Sequence, residues 1–439
     1  MEMSVQASMR SVHLLAAGLS INLTVSAQSL YFPPNGSTAW DTLSPASLGW
    51  CPDRIDSLID FVGSRNTKAF LILKDGRIVI EHYYGTFTQD SLWYWASAGK
   101  TLTSMLTGIA QEEGFLDIND ATSQYLGAGW TSATLSQEAQ ISVLNQLTMT
   151  SGLDDGGDPY CTLPSCLEYL ADPGDRWAYH NAPYTLLDQV IASATGNTFN
   201  GYFNSRIRNP IGMDGFWFPS GYNNVYGSKA RSMARFGLLV LNEGVWNTDT
   251  ILHDTTYFTA MTTPSQSLNE SYGYLWWLNG QSSFMVPGLQ FVFPGMIMPD
   301  APPDMISALG KNDQLLNVVP SQGLVLVRMG DEAYGPLDVA VTFNNEIWQL
   351  INVLPCSTAV QDALSGTDQL IAYPQPCEDR VDLRGMNGIL SIEAIAADGR
   401  VFHPTWAGTT VFVSGLPAGV HLLRVSSTAG ERTMRIVKR

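Results

Sequence analysis

Ser97 and Lys100 lie three residues apart in "WASAGKTLTSML", residues 95–106. Of the six lysines, only Lys100 has a serine three positions before it. On a helix, residues at i and i+3 share a face, so hydroxyl and amine fall within mutual reach. Burial of that pair disfavours the ammonium form and lowers the lysine pKa. A neutral lysine can then take the serine proton and leave a nucleophilic oxygen. The positive end of the helix dipole favours negative charge developing there. The same pattern also fits a serine that merely caps a helix, so the spacing leaves both readings open.

Partners for such a pair occur in "PGDRWAYHNAPYTLL", residues 173–187. Tyr179 and Asn181 place a phenol and an amide at i and i+2, a spacing at which a loop can aim both into one cleft. Tyr-x-Asn recurs at Tyr202–Asn204 and Tyr222–Asn224, but only the first follows a Pro-Gly loop and directly precedes an amphipathic helix. His180, between the two, would face away and reads as structural. G-x-S-x-G, H-E-x-x-H and the phosphate-binding G-x-x-x-x-G-K-[ST] do not occur. The acidic run Asp154, Asp155 and Asp158 lacks calcium-ligand spacing, and no metal site or cofactor is expected. Trp93, Trp95, Trp276 and Trp277 could line a pocket or fill a core.

Elements that could hold these groups are legible on either side. "KAFLILKDGRIVIEHYYG" (68–85) predicts a β-hairpin turning at Asp75-Gly76. Leu102, Met105, Leu106 and Ile109 then form one apolar helical face that ends at Gly114. Further helices are expected over about 183–195 and 228–242. A second hairpin, "DQLLNVVP" with "GLVLVRMG", turns near Ser321-Gln322-Gly323. Strands, then helices, then strands imply an α+β domain whose first and last strands share one antiparallel sheet.

The 439 residues carry a formal charge of −17, with 45% hydrophobic and 10% aromatic residues. That composition builds a core and repels nucleic acid and anionic membranes. No membrane span is expected. Residues 1–27 resemble a signal peptide ending Val25-Ser26-Ala27. An exported chain permits disulfides, and the expected pairs are Cys161–Cys166 and Cys356–Cys377, with Cys51 left over. Residues 28–354 read as the main domain and 355–380 as a linker. Residues 381–439, with short alternating strands and a basic end, read as a small β-sandwich.

Taken together, "LTMTSGLDDG" (147–156), "PGDRWAYHNAPYTLL", "ARSMARFGLLVLNEGVW" (230–246) and "DQLLNVVPSQGLVLVRMGD" (313–331) resemble the serine β-lactamase-like hydrolases. The similarity is to the group of class C β-lactamases, family VIII carboxylesterases and 6-aminohexanoate-dimer hydrolases. It implies a β-lactamase/penicillin-binding-protein-like antiparallel sheet flanked by helices. It implies Ser97 as nucleophile, Lys100 as its activator and Tyr179 as acid or base toward the leaving group. Asn181 would bond Lys100 and a substrate carbonyl. The oxyanion hole would be the backbone N–H of Ser97 plus that of Lys311, which follows Gly310 at the end of a sheet strand. The family's Lys-Thr-Gly is here Ala308-Leu309-Gly310. Losing a charge-assisted carboxylate contact costs ~1.5–3 kcal/mol, so the resemblance favours an esterase or small-amide hydrolase. A β-lactamase or D-Ala peptidase is the alternative, with Lys311 as replacement cation, and an inactive binding or sensor protein is a third. The tail, "LPAGVHLLRVSSTAGERTMRIVKR", resembles a type IX secretion sorting domain. It implies that secretion machinery as a partner and a secreted or cell-surface location reached through the periplasm.

Overall fold

Asp75 and Gly76 both take positive φ, 48° and 80°. That conformation matches the twist of a tight two-residue hairpin and joins β1 (Thr67–Lys74) to β2 (Arg77–Tyr83). The chain is described here from a computed structural model covering residues 30–334, 340–356, 371–384, 388–396, 400–428 and 430–439. The expected signal segment, 1–27, lies outside the described residues. So does 357–370, most of the expected linker.

Two compact units are present, the first ending at Pro355 and the second starting at Cys356. In the first, α1 (Pro52–Gly63) precedes the hairpin and β3 (Trp93–Tyr94) follows it. Then come α2 (Lys100–Glu112), α3 (Asn181–Thr185) and α4 (Leu187–Thr195). β4 (Phe216–Ser220) and β5 (Asn223–Ser228) form a second hairpin, followed by α5 (Ala230–Leu241). Among the later elements of the unit are β6 (Trp277–Leu278), β7 (Ile306–Gly310), β8 (Gln314–Val319), β9 (Leu324–Gly330) and α6 (Val341–Ile351).

The main sheet runs in the order β2-β1-β9-β8-β7-β6 and its ladders are antiparallel. First and last strands therefore meet, β1 beside β9, as the sequence implies. Side chains alternate across the sheet. Leu316 and Val325 meet α5, where a Cβ on Gly237 would lie 2.5–2.6 Å from them. On the opposite face Asn317 bonds Asn344 of α6, and the Arg328 guanidinium lies over the Phe343 ring, 5.3 Å from its centre. The sheet is thus covered on both faces.

α2 is buried from Lys100 to Ala110. A helix closed in all round carries any charge in its first turn into the core. Among the described residues, no helix is long and apolar enough to cross a membrane.

The second unit contains two four-stranded antiparallel sheets. β10 (Ile371–Tyr373), β11 (Arg380–Arg384), β15 (Thr410–Phe412) and β14 (Trp406–Ala407) form one. β13 (Val401–Phe402), β12 (Ile389–Ala396), β16 (Gly419–Ser427) and β17 (Gly430–Lys438) form the other. Along β16, His421, Leu423, Val425 and Ser427 are buried and their neighbours are not, the alternation of a strand with one dry face. Leu423 and Val425 join Val381, Leu383, Val411 and Ile436 in a separate core, consistent with a β-sandwich. Two sequence expectations are corrected here. Residues 371–373 belong to a sheet rather than a linker, because they pair with Asp382, Leu383 and Arg384 of β11. Cys377 is a free, buried thiol, whereas Cys51 and Cys356 are both disulfide-bonded, so Cys356 does not pair with Cys377. The Cys161–Cys166 bond is present.

Candidate active site

Ser97 sits on a tight 3-10 turn, Ala96–Gly99, that leads into α2. The turn is clamped on both sides. The Trp95 N–H donates to the Tyr226 carbonyl (2.8 Å), and Trp95 Nε1 donates to Ser228 Oγ (2.8 Å). From the other side Gly310 of β7 abuts it: a Cβ there would lie 2.3 Å from the Trp95 carbonyl oxygen and 3.1 Å from the Ala98 nitrogen. Only glycine allows the strand this close. Ala96 carries φ 51°, an uncommon conformation for a residue with a Cβ, held by the clamp directly before the serine.

The geometry speaks against the capping reading. Neither the turn nor α2 has a side-chain cap, and the N-cap residue of α2 is Gly99. Ser97 Oγ instead accepts a hydrogen bond from Lys100 Nζ at 3.1 Å. Nζ also donates to Asn181 Oδ1 at 2.8 Å. Lys100 is 3% exposed. Its ammonium faces the Tyr184 ring at 4.3 Å and the Tyr179 ring at 5.2 Å. Those ring faces attract a cation, but burial outweighs them and brings the pKa down to about 7. The free amine, able to accept a proton, is therefore accessible to Lys100 near neutral pH.

Tyr179 stands beside this pair on a tight bend, where the His180 N–H donates back to the Ala178 carbonyl at 2.7 Å. Its ring stacks on Trp277 (centroids 5.8 Å apart, planes at 24°) and meets Tyr272 edge-on at 6.3 Å. Asn181 opens α3 directly after. His180 points elsewhere: it is buried, and desolvation pushes its pKa down to about 4.

Beyond Gly310 the chain turns through Lys311, Asn312 and Asp313, the last two at φ 60° and 57°. Arg328, fully buried, pins that turn from below. Its Nη1 donates to the Asn312 and Asp313 carbonyls at 2.8 and 2.9 Å, and its Nε to Thr67 Oγ1 at 3.0 Å. Lys311 borders the cleft. Ala308 and Leu309 are buried and do not line it.

Ser97 lies where two cavities meet. The larger, about 640 Å³, is lined by Tyr94, Phe218, Tyr222, Asn223 and Asn224 among others. The smaller, about 110 Å³, holds Tyr179, Pro287 and Gly288. Ser97, Tyr160, Asn181 and Lys311 border both. The loop carrying Tyr160 is fastened by the Cys161–Cys166 bond, by Arg176 on Asp155, and by the Ala182 N–H on the Pro159 carbonyl (2.9 Å). Asp154 and Asp158 turn their carboxylates onto the backbone N–H groups of Gly156 and Tyr160.

All six sequence-predicted site residues converge here. Of the two readings open for the tryptophans, the core one holds. Trp95, Trp276 and Trp277 are core residues, 0–2% exposed, and Trp93 donates to the Gly330 carbonyl; none borders the cavities. The walls come from Tyr94, Tyr160, Tyr184 and the β4–β5 hairpin. One of the set-aside Tyr-x-Asn matches, Tyr222–Asn224, is part of that hairpin and could have flagged it.

A serine whose hydroxyl is bonded to a buried lysine of lowered pKa, with a tyrosine and an asparagine alongside, can perform acyl transfer. Comparison with known proteins agrees with this chemistry. The Beta-lactamase family model matches residues 60–343. The chain belongs to the β-lactamase family. Among curated relatives it is 29% identical over 186 residues to the D-alanyl-D-alanine-carboxypeptidase/endopeptidase AmpH of Escherichia coli K12, covering 37% of this chain and 48% of that protein. The chain thus spans about half the length of the relative it matches there. A protein of Alkalihalophilus pseudofirmus, of uncharacterized function, is 23% identical over 63% of this chain and 85% of its own length. Among solved structures, a penicillin-binding protein homologue of Caulobacter crescentus superposes with TM-score 0.53 at 13% identity, over 69% of this chain and 98% of its own. The octameric penicillin-binding protein homologue of Pyrococcus abyssi gives 0.51 at 15% identity, over 87% and 90%. At such identities the likeness is one of fold.

Proposed function

We propose that this β-lactamase-family protein is an exported serine hydrolase that cleaves esters or small amides through an acyl-enzyme on Ser97. The observation that carries the reading is the Ser97–Lys100–Asn181 chain of hydrogen bonds, 3.1 and 2.8 Å, around a lysine whose burial lowers its pKa. Lys100 takes the Ser97 proton as Oγ attacks the carbonyl carbon. Tyr179 relays a proton to the departing oxygen or nitrogen. Backbone N–H groups at Ser97 and at the end of β7 are the candidates to receive the oxyanion. A water then repeats the sequence and frees the acid.

A second reading has one observation in its favour. Lys311 borders both cavities, where its ammonium could hold a substrate carboxylate in place of the residues at Ala308 and Leu309. That would suit a β-lactamase or a D-Ala peptidase, the latter being the activity after which the Escherichia coli relative is named. For the second unit we propose the sorting role that its sequence resembles, with export through the periplasm to the surface or medium.

The test is hydrolysis by the full chain of a chromogenic ester, a short linear amide, a penicillin and a D-Ala-D-Ala peptide, each beside Ser97→Ala. Ester or amide turnover that Ser97→Ala abolishes, with slow penicillin and peptide reaction, is the expected result. Faster penicillin or peptide turnover would favour the second reading. Ester turnover unchanged in Ser97→Ala would overturn both.

A further inference from the structure

We infer that the two cavities divide the substrate unequally: the large one seats a bulky acyl group bearing an amide, and the small one admits only a compact alcohol or amine leaving group. The inference rests on the Ser97 hydrolase reading and adds its substrate class. Three observations carry it.

The first is the place of Tyr179. It borders the small cavity and not the large one. In acylation the Ser97 Oγ–carbon bond forms and the carbon–oxygen or carbon–nitrogen bond to the leaving group breaks. The Ser97 proton passes to Lys100, and the leaving group needs one in return. Tyr160 borders both cavities and does not choose between them, whereas Tyr179 borders the small one alone. The leaving group therefore departs there. The acyl group, on the other side of the same carbon, is directed into the large cavity.

The second is size. Pockets that enclose drug-sized ligands are ~300–1,000 Å³. At about 640 Å³ the large cavity falls within that range, and at about 110 Å³ the small one falls well below it. The small cavity is lined in part by Pro159 and Pro287, whose rings fix the backbone φ on that wall.

The third is the chemistry of the large wall. Asn223 spends one end of its amide on Thr185 Oγ1 (3.3 Å) and Asn224 donates its Nδ2 to Asp188 (2.8 Å). Both residues line the cavity, and a side-chain amide has a donor and an acceptor end to offer a ligand. Phe218, Tyr94 and Tyr222 supply aromatic surface around them. Two amide ends among aromatic rings complement an acyl group with an amide on an apolar body, as in an N-acylated aromatic amino acid.

The test uses the purified full chain and four esters: methyl and benzyl acetate, and the methyl and benzyl esters of N-acetylphenylalanine. Methanol and benzyl alcohol are leaving groups of similar acidity, so the pair varies size alone. The expected result is kcat/KM higher by roughly 10–100-fold for the N-acetylphenylalanyl methyl ester than for methyl acetate. Replacing methyl by benzyl in the leaving group should lower it at least ~10-fold. Ser220→Trp, at the exposed edge of the large cavity, should shrink the N-acetylphenylalanyl-to-acetyl ratio by ~10-fold or more. Equal rates for all four esters, or a preference for benzyl over methyl, would overturn the assignment while leaving Ser97 hydrolysis intact. If Ser220→Trp fails to fold, the wild-type matrix alone decides. Failure of any ester to acylate Ser97 would instead sink the hydrolase reading, and this inference with it.

Discussion

Acylation should follow the ionisation of Lys100, and the curve can be drawn from the structure. Burial places its pKa at about 7, against an ordinary 10.5. Only the free amine can take the Ser97 proton. Its fraction is about one half at pH 7, a tenth at pH 6 and a hundredth at pH 5, so kcat/KM for an ester should fall ~10-fold per unit on the acid side and level off above about pH 8. Lys100→Arg holds a permanent positive charge in the same place and should lose ~10³-fold or more at every pH. Stability supplies an independent check. Because the folded pKa lies below the unfolded one, the unfolded chain binds more protons between about pH 7 and 10.5. The burial penalty is fully present below about pH 7 and is relieved as pH rises through that window. Its size is on the order of 5 kcal/mol at about 1.36 kcal/mol per unit. Lys100→Met should therefore stabilise the fold at pH 6, in urea melts, while abolishing activity. A rate profile flat from pH 5 to 8, or an active Lys100→Arg, would refute the reasoning.

Three further outcomes are expected. Gly310→Ala drives a Cβ to 2.3 Å from the Trp95 carbonyl; it should cut kcat by ~10²-fold or more by displacing the serine turn, measured on protein whose circular dichroism is unchanged. Arg328→Met leaves the carbonyls of Asn312 and Asp313 without their donor and should cost about 3–5 kcal/mol in chemical denaturation. Deleting the chain after Pro355 should leave the protein in the periplasmic fraction of a type IX-competent host, whereas the full chain should reach the surface or medium.

The fold was legible where local chemistry dictates it. Asp75-Gly76 can hardly do other than turn a hairpin, and the apolar face of Leu102, Met105, Leu106 and Ile109 marks a buried helix. The catalytic candidates were legible because Ser97, Lys100, Tyr179 and Asn181 sit in short segments whose internal spacing survives folding. What brings Gly310 against Trp95 is a contact across more than two hundred residues, and no local pattern encodes it; the resemblance supplied Gly310 and Lys311. The cavity walls were missed for the same reason, since Phe218 and Tyr222 look like ordinary hairpin residues until the hairpin lands beside the serine. For tryptophan the sequence left pocket and core both open; the largest apolar side chains gain most from full burial, and Trp95, Trp276 and Trp277 are in the core. The Cys356–Cys377 expectation failed because proximity in sequence says little about Cα distance in space.

The central claim is a covalent acyl-enzyme on Ser97, and intact-protein mass spectrometry tests it directly. The full chain, mixed with a fluorophosphonate or a slowly released activated ester, should gain the mass of one acyl or phosphonyl group, mapped by peptide sequencing to residues 95–106. Ser97→Ala should gain nothing. An adduct of equal yield on Ser97→Ala, or one mapped to another residue, would contradict the account.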